Sequence, residues 1–152
     1  GGGVIRRVEG TEGAGAKGEQ PDLHAHHATV AGQVGQPMSG LLEDLNLRGW
    51  LNWTIVVLAT AFGRTPGSQR KDGGDHHPFG LSVWMAGGGI RGGIVHGATD
   101  EIGFHTAQDP HYVTDIHATI LHQLGLEHRA MHVPGHKRLD IDDGEPIRAI
   151  IA

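Results

Sequence analysis

The chain contains no cysteine, which excludes disulfides and thiolate metal sites and leaves the redox compartment open. Any transition metal it binds must be held by imidazole and carboxylate. It also lacks long hydrophobic runs. None approaches the roughly 20 apolar residues that a spanning helix needs, so no membrane segment is expected. There is no excess of basic charge: the formal net charge of −5 argues against a nucleic-acid partner, which would require a basic face. The Gly1-Gly2-Gly3 start runs into mixed charge without an apolar h-region, so no secretory signal peptide is read there.

Two residue types are abundant instead, with 26 glycines and 13 histidines. The plain reading of most of these histidines is solvated surface. At 152 residues with 38% apolar content, the chain can form one domain with a core. Residues 1–20 are glycine-rich with scattered charge and read as a flexible lead-in, leaving 21–152 as the domain.

The stretch from Thr54 to Gly80 organises the rest. Thr54-Ile55-Val56-Val57-Leu58 is a continuous β-branched run and predicts a strand buried on both faces. Gly63 and Pro66 stop it, and a polar loop then delivers Asp75-His76-His77-Pro78. Leu81 to Ala86 predicts a second strand. Ligands of open α/β sheets sit beyond the carboxyl ends of such strands, which makes this carboxylate and these imidazoles a candidate site.

Upstream, Asp22 and His24 are two apart, close enough on a strand or in a loop to reach one ion. Met38, Leu41, Leu42 and Leu45 form a helical stripe over about 37–48, with Pro37 in the first turn and Gly49 as the stop. Downstream, Gly87-Gly88-Gly89 reads as a loop, because neither its spacing nor its context fits a dinucleotide fingerprint. Ile94-Val95-His96 is expected to be extended, and Asp100 and Glu101 to be solvated turn acids, with a substrate-facing role as the alternative. Thr114 is expected to cap a helix over about 114–125 with Ile116, Ile120, Leu121 and Leu124 as its stripe and Gly125 as its stop. His117 and His122 are five apart and cannot form an i,i+4 metal pair; His117 is expected to pack beside the stripe. The Asp143-Gly144 turn in the tail predicts a hairpin that closes the domain.

These motifs, in this order, are similar to a known pattern. Asp22-Leu23-His24, Phe62-Gly63-Arg64-Thr65-Pro66, Gly74-Asp75-His76-His77-Pro78, Gly87-Gly88-Gly89, Gly97-Ala98-Thr99-Asp100-Glu101 and Asp115 to Leu121 follow one another. The chain resembles the C-terminal part of the sulfatase-like domain of unknown function 1501 family, in the alkaline phosphatase superfamily. The resemblance implies a partial alkaline-phosphatase-like α/β sheet flanked by helices, with the tail hairpin added. It implies a metal-dependent phosphate or sulfate ester hydrolase, with Asp22, His24, Asp75 and His76 as metal ligands. Zinc or manganese suits such donors better than calcium. Arg64 is the expected contact to a small anionic ester, since its planar fork matches sulfate or phosphate. The resemblance also suggests an exported protein.

Departures from the family pattern qualify this expectation. Ala61 stands where the family has a glutamate at the strand end, and Pro21 replaces a tryptophan. The nucleophile of the family's N-terminal half has no counterpart, and Thr65 and Ser68 are the hydroxyls nearest the cluster in sequence. No catalytic residue is therefore assigned, and the chain is read as a segment or degenerate copy that does not catalyse alone. The alternatives are a non-catalytic His/Asp-rich module that binds a metal or anion, and a structural remnant. An incomplete sheet would expose an edge, so homo-oligomerisation is also expected.

Overall fold

The computed structural model describes residues 23–67, 75–127 and 144–152. It is a mixed α/β fold of two helices and three short antiparallel strand pairs. Helix α1 spans Leu23–Leu47 and helix α2 Val113–Gln123. Neither is long and apolar enough to cross a membrane.

Helix α1 begins well before the position expected from its apolar stripe. Pro37 lies in its interior rather than its first turn, at the cost of one backbone bond to the preceding turn. His24 therefore belongs to the helix and not to a strand or loop. Within the stripe, Leu45 is buried, whereas Leu41 remains 49% exposed. The helix ends as the sequence predicts. Gly49 adopts a φ of +71°, and the N–H groups of Gly49 and Trp50 return to the carbonyls of Asn46 and Leu45 at 3.0 and 2.8 Å. This two-bond closure needs a left-handed residue, which glycine adopts without a Cβ penalty.

A single 3₁₀ turn, Leu51–Trp53, leads into strand β1, Val56–Leu58. Strand β4, Trp84–Ala86, pairs with it antiparallel in the register Val56↔Ala86, Val57↔Met85, Leu58↔Trp84. The expectation of a strand buried on both faces is corrected here. None of the three β1 residues is fully buried, and Val57 is 38% exposed although Met85 opposite it is buried. Gly87, Gly88 and Gly89 follow with φ of 73°, 50° and 79°, folding the chain tightly over Leu51, Thr54 and Ile55. Gln123 of α2 fixes this turn by donating to the Gly88 carbonyl at 3.0 Å. Residues 94–96 form no strand.

The cap of helix α2 lies two residues earlier than expected. Tyr112, not Thr114, is its cap residue, and Asp115 reaches back to accept the Tyr112 N–H at 3.0 Å. His117, expected to pack, is exposed. The apolar face of α2 turns Ile116 and Ile120 toward a core of Met85, Ile90, Ile147 and Ile150. Two of those four residues come from the C-terminal tail. The hairpin's first arm and Asp143 lie outside the described residues. Residues 144–152 run along α2, form a 3₁₀ turn at Arg148–Ile150, and bridge Ile151 to Ile90. The tail therefore closes the core, as expected, through bonds such as Arg91 N–H to the Ile150 carbonyl at 2.7 Å.

Candidate functional site

The residues flanking the polar loop meet across a second strand pair. Strand β2, Gly63–Arg64, runs antiparallel to β3, His76–His77, with Gly63 opposite His77 and Arg64 opposite His76. Two sequence motifs separated by a loop thus become one ribbon. Gly63 is required there, because a Cβ at this position would fall on the Gly80 carbonyl. Thr65 clamps the ribbon's open end. Its N–H donates to the Asp75 carbonyl at 3.0 Å, and its hydroxyl accepts the Asp75 N–H at 2.9 Å. The same hydroxyl donates to the Gly67 carbonyl, so it serves the loop backbone.

Phe62 organises the exposed face. Its ring lies 3.9 Å from the His76 ring, centroid to centroid, and the Arg64 guanidinium carbon lies 5.6 Å from its centroid. An aromatic face attracts the guanidinium and limits its rotamers. The neighbouring imidazoles part company here: His76 is exposed and His77 is 2% exposed. His77 Nε2–H donates to the Phe104 carbonyl, and its ring packs 4.4 Å from that of Phe104. His77 is therefore a core residue, joining the ribbon to strands β5 (Ala98–Thr99) and β6 (Thr106–Gln108).

A cleft of about 1200 Å³ opens directly beyond the carboxyl end of β1. Its walls include Ala61, Arg64, Ser82, Asp100 and Tyr112. Asp75 and His76 are not among the residues that line it. Asp100, expected to be solvated, instead accepts the N–H groups of Phe104 and His105 at 2.7 and 2.9 Å. Those bonds, that from His105 foremost, hold its carboxyl below the usual carboxylate range. Asp100 is thus the anchor of the β5–β6 turn, while Glu101 is exposed.

A second polar cluster lies at the start of α2. His96 Nε2 and His111 Nε2 approach to 2.8 Å, and His111 Nδ1 lies 3.4 Å from an Asp115 oxygen. Asp115 is 9% exposed and also accepts the Glu145 N–H at 2.9 Å. Burial on its own would raise this carboxyl, but the Glu145 and Tyr112 N–H groups, with His111, hold it below the usual value. The only sequence sign of this cluster is the i,i+4 spacing of His111 and Asp115. His96 has no local signal at all.

The family of proteins of unknown function DUF1501 matches residues 20–151. The chain belongs to that family. No curated protein and no solved structure matches it.

Placed on this DUF1501 chain, the expected site residues separate into two groups. Arg64 and His76 face each other across the ribbon, with Asp75 next to them. Asp22 lies outside the described residues, and the side chain of His24 likewise. Among the described residues, no group of three or more histidine and carboxylate side chains is arranged to hold a metal ion. Ala61, at the position where the resemblance calls for a glutamate, sits in the cleft wall just past β1.

Proposed function

We propose that this DUF1501 chain is the anion- and metal-binding C-terminal part of a sulfatase-like phosphate or sulfate ester hydrolase, not catalytic by itself. The observation that carries this reading is the β2–β3 ribbon. It sets Arg64 in the wall of the cleft beyond β1 and directly opposite His76. A guanidinium steadied on an aromatic ring presents a fork suited to two oxygens of a tetrahedral anion. Asp75 and His76 offer one carboxylate and one imidazole, a donor set that suits zinc or manganese. Asp22 and His24 would complete it in the sulfatase-like reading. When bound, such a metal supplies Lewis-acid stabilisation of the ester oxygens. The chain's own contribution is to orient the anion at Arg64. Thr65, committed to Gly67 and Asp75, braces the turn, and the nucleophile belongs outside this segment.

Ala61 favours a second reading, in which the same ribbon serves a non-catalytic anion-binding module. The two are separated by thermal unfolding of the chain in EDTA, then with sulfate or phosphate, and then with zinc or manganese. A ligand of the native state raises the midpoint by mass action, about 2.7 kcal/mol at a hundredfold excess over its Kd. We expect sulfate to raise the midpoint, and Arg64→Ala to abolish the rise. A further rise with manganese, lost in Asp75→Ala, supports the hydrolase reading over the plain anion module. An identical sulfate response in Arg64→Ala would sink both. Turnover of aryl sulfates or phosphates by this chain alone would overturn its assignment as non-catalytic.

A further inference from the structure

The His96–His111 cluster lies apart from the ribbon and takes no part in the proposed ester site. We propose that it is a separate transition-metal site, in which the Nε2 atoms of His96 and His111 bind one zinc or copper(II) ion. Three features of its construction support this.

First, the two ring nitrogens point at each other. They stand 2.8 Å apart, with ring centroids at 5.0 Å and planes inclined by 35°. Two imidazole nitrogens at about 2.0–2.1 Å from a tetrahedral zinc lie roughly 3.3 Å from each other. The side chains therefore need to part by only about half an ångström to admit the ion.

Second, the far side of His111 is built as metal-bound histidines are. Its Nδ1 faces Asp115, which places the proton on Nδ1 and the lone pair on Nε2. Asp115 cannot turn away, because the N–H groups of Tyr112 and Glu145 grip its two oxygens at 3.0 and 2.9 Å. The backbone before His111 is also forced: Asp109 is the one non-glycine among the described residues with a positive φ, 45°. Such a residue costs free energy to hold, and the segment it turns is the one that carries His111.

Third, the two histidines line a cavity of about 390 Å³ whose walls also carry Asp109, Asp115 and Glu145. Arg148 is the opposing charge in that wall, and its guanidinium is drawn aside to donate to His122 Nε2 at 2.8 Å. Three carboxylates around an imidazole pair favour a cation. Two protein ligands leave the remaining positions to water, so the site is open rather than closed. An imidazole pair also ranks metals differently from the Asp75–His76 pair: copper(II) and zinc should bind well ahead of manganese.

Calorimetric titration of the EDTA-stripped full chain with zinc, copper(II) and manganese tests this directly. We expect a zinc- and copper-binding event that disappears in His96→Ala and in His111→Ala, with far-UV circular dichroism unchanged. It should persist in His76→Ala and in His117→Ala. Asp115→Asn should weaken it by about 10- to 100-fold, as loss of a carboxylate behind a ligating histidine does. If either His96→Ala or His111→Ala binds zinc as the parent does, the site is not there. Loss of zinc binding in His76→Ala alone would assign the metal to the ribbon, overturning this inference and leaving the ester-site reading intact.

Discussion

Thr119 is the most deeply buried polar side chain described, with no exposed surface. Its hydroxyl donates to the Asp115 carbonyl at 2.6 Å and accepts the Ile147 N–H at 2.9 Å. One hydroxyl thus ties the tail to the inner face of α2. Thr119→Val keeps the shape but strands a buried N–H, which costs about 1–3 kcal/mol. Urea unfolding should show the loss as a lower midpoint at unchanged slope, and an unaltered midpoint would mean that the tail is not docked through this bond. Asp115 sets the acid limit in the same place. Its folded carboxyl lies below the ordinary value, so its contribution is complete above the unfolded pKa of about 3.9 and fades as pH falls through the folded value. Urea midpoints taken from pH 6 downward should fall more for the parent than for Asp115→Asn, with the difference confined to the region below about pH 4. Parallel curves would refute this linkage.

At the scale of elements, the β2–β3 ribbon depends on one absent methyl group. A Cβ at Gly63 would meet the Gly80 carbonyl, which is backbone and has no rotamer by which to yield. Gly63→Ala should cost about 1–3 kcal/mol, the range for overpacking, and should weaken the sulfate response with it. Both can be read from one set of melting curves, and a fully retained sulfate response would detach Arg64 from the ribbon. The helices show how unevenly such elements can be read. Their C-termini were legible because the left-handed stop needs glycine, and Gly49 and Gly125 supply it with φ of 71° and 73°. Their N-termini were not. Ahead of Pro37 no strong apolar stripe marks the helix, so the proline reads as its start. Ahead of Thr114, the cap chemistry is supplied from inside the helix by Asp115.

Across the described residues, much large apolar surface is exposed. Among the described residues, Leu47, Trp50, Trp53, Ile102 and Tyr112 are between 58% and 89% exposed. Among the described residues each sheet has only two strands, so each strand has an edge with no strand partner there. Exposed edges beside exposed aromatics favour self-association. Sedimentation velocity should show concentration-dependent association or, where the chain stays monomeric, a broad low-temperature unfolding transition. A monodisperse monomer with a sharp transition would count against this.

The sequence by itself determined the two helices, the strands at Val56–Leu58 and Trp84–Ala86, the glycine stops, the loop at Gly87–Gly89 and the closing role of the tail. It also marked Arg64, Asp75 and His76 as neighbours through their motifs. All of these rest on local rules: periodicity, left-handed φ and short-range spacing. Only the tertiary structure decided which of two adjacent histidines is core and which is surface, since strand alternation sends His76 and His77 to opposite sides. It alone left Val57 of β1 partly exposed, because burial depends on what packs against a strand and not on the strand's own composition. It alone joined His96 to His111, fifteen residues apart, through a strained turn at Asp109 that no local pattern announces.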